Sequence, residues 1–166
     1  MKGNILLISV LITGLSAGLF YAWQVSVIPG TRKLTDAAYL ASMQSINLEI
    51  LNPWFFVIFF GPMLLMIVSS IGLYKTGHTE IFVWLILAAI NYTIGTIGVT
   101  AFGNVPLNNA LDILDLSTLS LDELRETRLA YEAKWNLYHF IRTSFAVISF
   151  GLLLWLTKIH FSNTIH

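Results

Sequence analysis

The chain has 166 residues, 56% hydrophobic and 11% charged, with nine Lys and Arg balancing nine Asp and Glu. A soluble domain carries about 25% charged residues, so an ordinary soluble globule is excluded, as is nucleic acid as a partner, since no basic run is present. The lack of cysteine excludes disulfides, iron–sulfur clusters and cysteine-ligated zinc.

The first stretch, Asn4 to Thr31, carries no charge. Lys2 and the small residues Ser16-Ala17-Gly18 imitate a secretion signal, but the apolar run continues to Ile28, too long for a signal's core. It reads as a membrane span from about Ile5, stopped at Pro29-Gly30, with Gly14 and Gly18 spaced for close helix contact. After a polar turn, Thr35 or Asp36 caps an amphipathic helix, Ala37 to Glu49. Pro53 then starts or kinks the second span, which is charge-free from Ile50 to Tyr74. A tight turn over 75–80 makes the second and third spans antiparallel neighbours. In the third span, Asn91, Gly95 and Gly98 share one face and form a packing stripe. Pro106, within Gly103-Asn104-Val105-Pro106-Leu107-Asn108-Asn109, predicts a break in the helix. Ser120-Leu121-Asp122-Glu123 fits a capping box that opens the last helix, which runs to about Thr157.

The expected fold is therefore all-α: one integral membrane domain, an antiparallel up-and-down four-helix bundle. Spans fall at about 5–28, 51–74, 81–103 and 137–157, with a loop and extramembrane helix over 104–136. Helices two and four extend beyond the bilayer on one side. The expected location is a bacterial plasma membrane. Basic residues on both sides leave the orientation open.

Only fifteen residues separate Arg142 from Lys158, roughly 22 Å of helix, against a hydrocarbon core of about 30 Å. The fourth span must therefore take His139 and Arg142 in with it, and an ionisable residue at that depth is a functional candidate by default. The topology brings other polar residues to the same end: Tyr21 and Gln24 of helix one, Gln44, Asn47 and Asn52 of helix two, Asn104 and Asn108 after helix three. Trp135, His139 and Arg142, at i, i+4 and i+7, share a face. Each has a plainer reading. His139 can bridge helices, Arg142 can snorkel or pair with Glu49, Asn104 and Asn108 can cap a helix, and Trp135 can anchor at the interface.

One histidine and one carboxylate, Glu49, make a poor metal site. A b-type haem on His139 is an alternative to the expectation of no cofactor. General acid–base chemistry fits the cluster better, with His139 as base and Arg142 and the asparagine amides stabilising an oxyanion.

Asn104-Val105-Pro106-Leu107-Asn108 together with Trp135-Asn136-x-x-His139-x-x-Arg142 resembles the anthrone oxygenase-like integral membrane family. Gly18-Leu19-Phe20-Tyr21 and Met43-Gln44-x-x-Asn47 extend the likeness over nearly the whole chain. The resemblance implies a cofactor-independent oxygenase that oxidises an anthrone-like substrate with dioxygen. His139 would be the base, with Arg142, Asn104 and Asn108 holding the oxyanion. Tyr21, Gln24, Gln44, Asn47, Asn52 and Trp135 would then surround the substrate. The alternative is a non-enzymatic lipid- or quinone-binding protein using the same pocket. The expected partners are membrane lipids, an apolar small molecule and dioxygen. Exposed apolar helix faces leave a homo-oligomer open.

Overall fold

The computed structural model describes residues 3–74 and 79–162, and these are helical apart from short connections, with no strand among them. Helix α1 (Gly3–Ala22) passes through a wide π turn (Trp23–Val27) into α2 (Ile28–Thr31). Helix α3 (Asp36–Glu49) precedes α4 (Pro53–Tyr74). The third span begins as α5 (Thr79–Ile90), runs through two π segments (Asn91–Gly98 and Thr100–Asn104) and ends as α6 (Val105–Asp112). A short 3-10 turn (Leu116–Thr118) leads to α7 (Leu121–Ser162), one helix of 42 residues. Four of these helical runs are long and apolar enough to cross a membrane: Asn4–Thr31, Pro53–Gly72, Glu80–Asp112 and Leu121–His160. The chain is an integral membrane protein.

Two prolines behave differently from expectation. Pro29 does not stop the first helix, and Pro106 does not break the third. Each follows directly on a π segment, at the first turn of the next α segment. A proline inside an α-helix clashes with the carbonyl four residues back and leaves it unpaired. Widening the preceding turn to i→i+5 bonding moves that carbonyl aside, so the helix runs through. Residues 104–112, expected as loop, are helical. Pro53 instead starts α4: Asn52 caps it by accepting from Phe55 N at 3.0 Å while donating to Glu49 O at 2.8 Å. Thr35 caps α3, accepting from Ala38 N at 3.4 Å. The capping box at α7 forms: Glu123 accepts from Ser120 N at 2.8 Å, and Ser120 Oγ accepts from Glu123 N. The turn expected at 75–80 falls mostly outside the described residues.

The spans form a ring in which α1 packs on α4 and α7, and α5 packs on α4 and α7. One core, including Leu6, Phe20, Met66, Leu85 and Leu153, fills it. A second core lies where α3 packs beside the first half of α7, around Tyr39, Leu40, Met43, Leu124, Tyr131 and Trp135. Arg128 clamps this end, reaching Glu132 at 2.7 Å, Asp36 at 3.0 Å and the Leu34 carbonyl, over the Tyr39 ring.

Polar groups inside the bundle set its register. Tyr92 Oη donates to Phe59 O at 2.9 Å and lies 2.7 Å from Ser16 Oγ, tying three spans. Asn91 Nδ2 donates to Phe145 O and Ser149 Oγ, each at 2.8 Å. The packing stripe on the third span differs from the expected one. Asn91 and Gly95 face α7, where a Cβ on Gly95 would overlap Phe145. Gly98 is not part of the seam, since a Cβ there meets only Thr93 O, at 3.5 Å, whereas a Cβ on Gly103 would come 2.7 Å from Tyr138 Cγ. The π register, with an extra residue per turn, carries the contact line through Asn91, Thr96, Thr100 and Asn104 instead of along a 3.6-residue repeat. On α1, Gly14 makes the close approach, to Phe150, and Gly18 has open space.

Candidate functional site

A cavity of about 170 Å³ opens between the end of α1, the α3–α4 junction, α6 and the middle of α7. Its walls are mainly apolar and aromatic, with Phe20, Trp23, Phe55 and Trp135 among them. The helical break at Ile50-Leu51-Asn52 gives it an opening, since Leu51 is exposed, as are Val105, Asn109 and Asp112 nearby on the wall.

Arg142 is 8% exposed and His139 fully buried, both on α7. Arg142 Nε and one terminal nitrogen lie 3.1 and 2.9 Å from His139 Nδ1. Guanidinium nitrogens only donate, so Nδ1 is the acceptor and the ring proton of the neutral imidazole sits on Nε2. Nε2 in turn lies 3.1 Å from Phe20 O, to which it donates. Thr143 donates to His139 O at 2.7 Å and steadies that turn of helix. Trp135 stacks on the imidazole at 5.1 Å between centroids, the planes 5° apart. The guanidinium carbon lies 4.7 Å from the Phe20 centroid and 5.2 Å from that of Trp135. Thr100 Oγ1, at 3.4 Å, is a weak further contact.

Among the described residues no carboxylate lies within ion-pair distance of Arg142. A buried charge is normally paired. Here the cation is held by a neutral imidazole and two ring faces, with guanidinium N–H groups to spare for a ligand. The neighbouring amides also have unused capacity. Asn104 Nδ2 donates to Trp135 O at 3.1 Å, which fixes the amide's orientation, and its buried Oδ1 then has no partner among the described residues. Asn47 Nδ2 is likewise buried without a full hydrogen bond, with the Tyr131 hydroxyl beside it. One acceptor and one donor thus accompany the cation in the cavity wall. Asn108 Oδ1 accepts from Trp135 Nε1 at 2.9 Å and from Tyr131 Oη at 3.0 Å, locking the indole in place.

Six of the ten residues singled out from sequence line the cavity: His139, Arg142, Asn104, Asn108, Asn47 and Trp135. Four do not. Tyr21 is 57% exposed on the outer surface. Gln44 donates to Leu111 O and Leu114 O, holding the end of α6. Asn52 is the α4 cap. Gln24 is half-buried within the π turn, its Oε1 unpartnered among the described residues. Arg142 neither snorkels nor pairs with Glu49, which is exposed. Sequence reasoning missed Phe20, Trp23, Thr100 and Asp112. The signal for two of them was present: Thr100, Asn104, Asn108 and Asp112 recur every fourth residue, one polar stripe hidden by the expected break at Pro106.

A family profile for the anthrone oxygenases matches residues 54–152, more than half of the chain. The chain belongs to the anthrone oxygenase family. The matched stretch holds the α4–α7 side of the cavity, including Asn104, Asn108, Trp135, His139 and Arg142. No curated protein and no solved structure matches the chain.

For an anthrone oxygenase family member, the state of His139 matters. Both ring nitrogens are engaged, so service as a base or as an axial haem ligand requires Arg142 to release Nδ1 first. Among the described residues no three His, Asp or Glu side chains gather as a metal-ligand set.

Proposed function

We propose that this chain is a membrane-embedded, cofactor-independent oxygenase acting on an anthrone-like substrate, an apolar aromatic with an acidic C–H conjugated to a carbonyl. The observation that carries the reading is the buried Arg142 guanidinium, which has no carboxylate within ion-pair distance among the described residues, in a wall that is mainly apolar and aromatic. A neutral ligand leaves that charge uncompensated. An enolate neutralises it, through N–H···O⁻ bonds about twice as strong as neutral ones.

Removing the C–H proton puts negative charge on the carbonyl oxygen, where the spare N–H groups of Arg142 meet it. As Arg142 turns toward this oxyanion it lets go of His139 Nδ1, and that lone pair becomes the proton acceptor. Substrate binding thus uncovers the base. Asn104 Oδ1 accepts from a substrate hydroxyl, and Asn47 Nδ2 donates to a second oxygen. The enolate carbon gives electrons to dioxygen and forms a C–O bond, leaving a hydroperoxide after protonation. Loss of water, with the second C–H proton, leaves a ketone. The CH₂ carbon gives up four electrons; one oxygen atom ends in the product and the other in water.

The test is oxygen uptake by the purified protein with anthrone, metals excluded, repeated with Arg142→Ala and His139→Ala. The expected loss for Arg142→Ala is roughly 10- to 150-fold in kcat/KM, the equivalent of one charge-assisted hydrogen bond of about 1.5–3 kcal/mol. Unchanged turnover in both variants overturns the assignment. The engagement of both His139 nitrogens favours one second reading, a site that only holds a lipid or quinone headgroup. Its signature is a co-purifying lipid or quinone without oxygen uptake.

A further inference from the structure

The second and third spans pack together over only part of their length. Helix α4 lies against α5 and the π segment Asn91–Gly98, but no packing of that extent joins it to Thr100–Asn104 or to α6. The two spans therefore part toward the cavity end, and the cavity reaches the surface in this gap, between exposed Leu51 and Val105. The water side is closed. There α3 packs on α6 and α7, with Tyr39, Leu40, Met43 and Leu111 buried in the join. Gln44 fastens this roof, donating to Leu111 O at 2.9 Å and to Leu114 O at 3.0 Å. The depth of the gap follows from two aromatics on α4. Trp54 and Tyr74 are 83% and 77% exposed at its two ends. The helix between them is about 30 Å long, the thickness of a hydrocarbon core. Exposed Trp and Tyr gather at the two membrane–water interfaces, so Leu51, just before Trp54 in the chain, lies at headgroup level.

We propose that the cavity takes its ligand sideways out of the bilayer, through the gap between α4 and α6 at headgroup depth, and not from water. The lip on α6 suits that depth. Val105, Asn109 and Asp112, at i, i+4 and i+7, share one exposed face that turns from apolar to polar toward the water side. The ligand this route admits is an amphiphile dissolved in the interface, its rings among the acyl chains and its oxygens toward Asn109 and Asp112. Such a molecule passes from lipid to the aromatic wall without exposing its rings to water, a step that would otherwise cost the whole hydrophobic transfer. The route stands on how the spans pack and not on the oxygenase reading, since a quinone or lipid headgroup uses the same gap.

The chain has no cysteine, so single cysteines carry nitroxide labels without background. Leu51→Cys and Val105→Cys are labelled in phosphatidylcholine vesicles. They are compared with Leu64→Cys, exposed in the middle of α4, and Arg125→Cys, exposed near the start of α7. Spin relaxation by oxygen, which concentrates in lipid, is measured against relaxation by a water-soluble nickel chelate. The expected oxygen-to-nickel ratio at 51 and 105 lies well above that at 125 and below that at 64. A ratio at both positions equal to that at 125 overturns the proposal. A second arm follows a dihydroxyanthrone binding from the vesicles under anaerobic conditions, through its quenching of Trp23 and Trp135 in the wall. Leu51→Phe and Val105→Phe narrow the gap, so association and dissociation should slow together severalfold and leave Kd nearly unchanged, whereas a lost binding contact acts mainly on dissociation. Unchanged rates in both variants overturn the proposal, as does faster association in Gln44→Leu, which loosens the roof. An anthrone that does not bind removes the oxygenase reading, and the label ratios then decide the route alone.

Discussion

Replacing Arg142 by methionine removes the charge and keeps much of the side chain's length. The loss is one acceptor's worth of charge-assisted bonding to His139 Nδ1, about 1.5–3 kcal/mol. The ring contacts at 4.7 and 5.2 Å add about 0.5–2 kcal/mol each. The Thr100 contact, at 3.4 Å, adds little. Against this stands the desolvation of a cation that has no carboxylate partner among the described residues, several kcal/mol even after relaxation. The two sides nearly cancel, so Arg142→Met should hold stability to within about 1–2 kcal/mol while ligand affinity and turnover fall roughly 10- to 150-fold. Arg142→Lys should lose nearly as much, because an ammonium cannot reproduce the planar fork that spans Nδ1 and a ligand oxygen. The assay is thermal unfolding in detergent beside calorimetric binding and oxygen uptake. A methionine variant that unfolds early yet binds and turns over normally would show that Arg142 is a structural clamp and that the site argument is wrong.

Three further outcomes are expected. Gly95→Ala should destabilise by about 1–3 kcal/mol by driving a methyl into Phe145, whereas Gly18→Ala, with open space around it, should be neutral or stabilise by up to about 1 kcal/mol, both read by thermal unfolding. Asn52→Ala should cost about 1 kcal/mol through the lost α4 cap, and Asn52→Asp should recover it, because only the accepting oxygen is needed at Phe55 N. The Ser117 hydroxyl and backbone N–H hold the Asp115 carboxyl below its ordinary value of 3.8. A depressed value means that this turn gains stability above the unfolded value and loses it as pH falls through the folded one. The Ser117 amide resonance should therefore shift only below about pH 4, and earlier movement would contradict the capping geometry.

Much of the architecture was written in the chain's hydropathy. The charge-free stretches and the capping box at Ser120 read directly, because they depend on local bonding and on length; of the two readings open at Pro53, start or kink, the structure takes the first. The face of the third span beyond Gly95 was not legible. A helical wheel assumes 3.6 residues per turn, and the π segments break that assumption without a residue type that announces it. That error hid Gly103 at the seam and put Gly98 in its place. It also made Pro106 look like an end, so Asp112 seemed remote from Asn104. On α7, undisturbed α geometry let the Trp135, His139 and Arg142 spacing place all three in the cavity. Tyr21 and Gln44 failed for a different reason: being near a helix end says nothing about direction, and one points outward while the other is consumed by backbone carbonyls.

The lone guanidinium also bears on how the protein is made. Arg142 sits at the middle of α7, the last of the four spans in the chain. Because the apolar stretch of α7 lies mostly beyond Arg142, the residue enters toward one face of the membrane, at a cost below the roughly 2.5–3.5 kcal/mol of an arginine at the bilayer centre. The apolar second half of α7 compensates for part of that, and the rest falls away once Phe20 and Thr100 are beside Arg142. The three earlier spans, already threaded, form the berth that makes the fourth insertion permanent. The binding group would then double as an assembly check, since an α7 that fails to dock leaves a cation facing lipid tails.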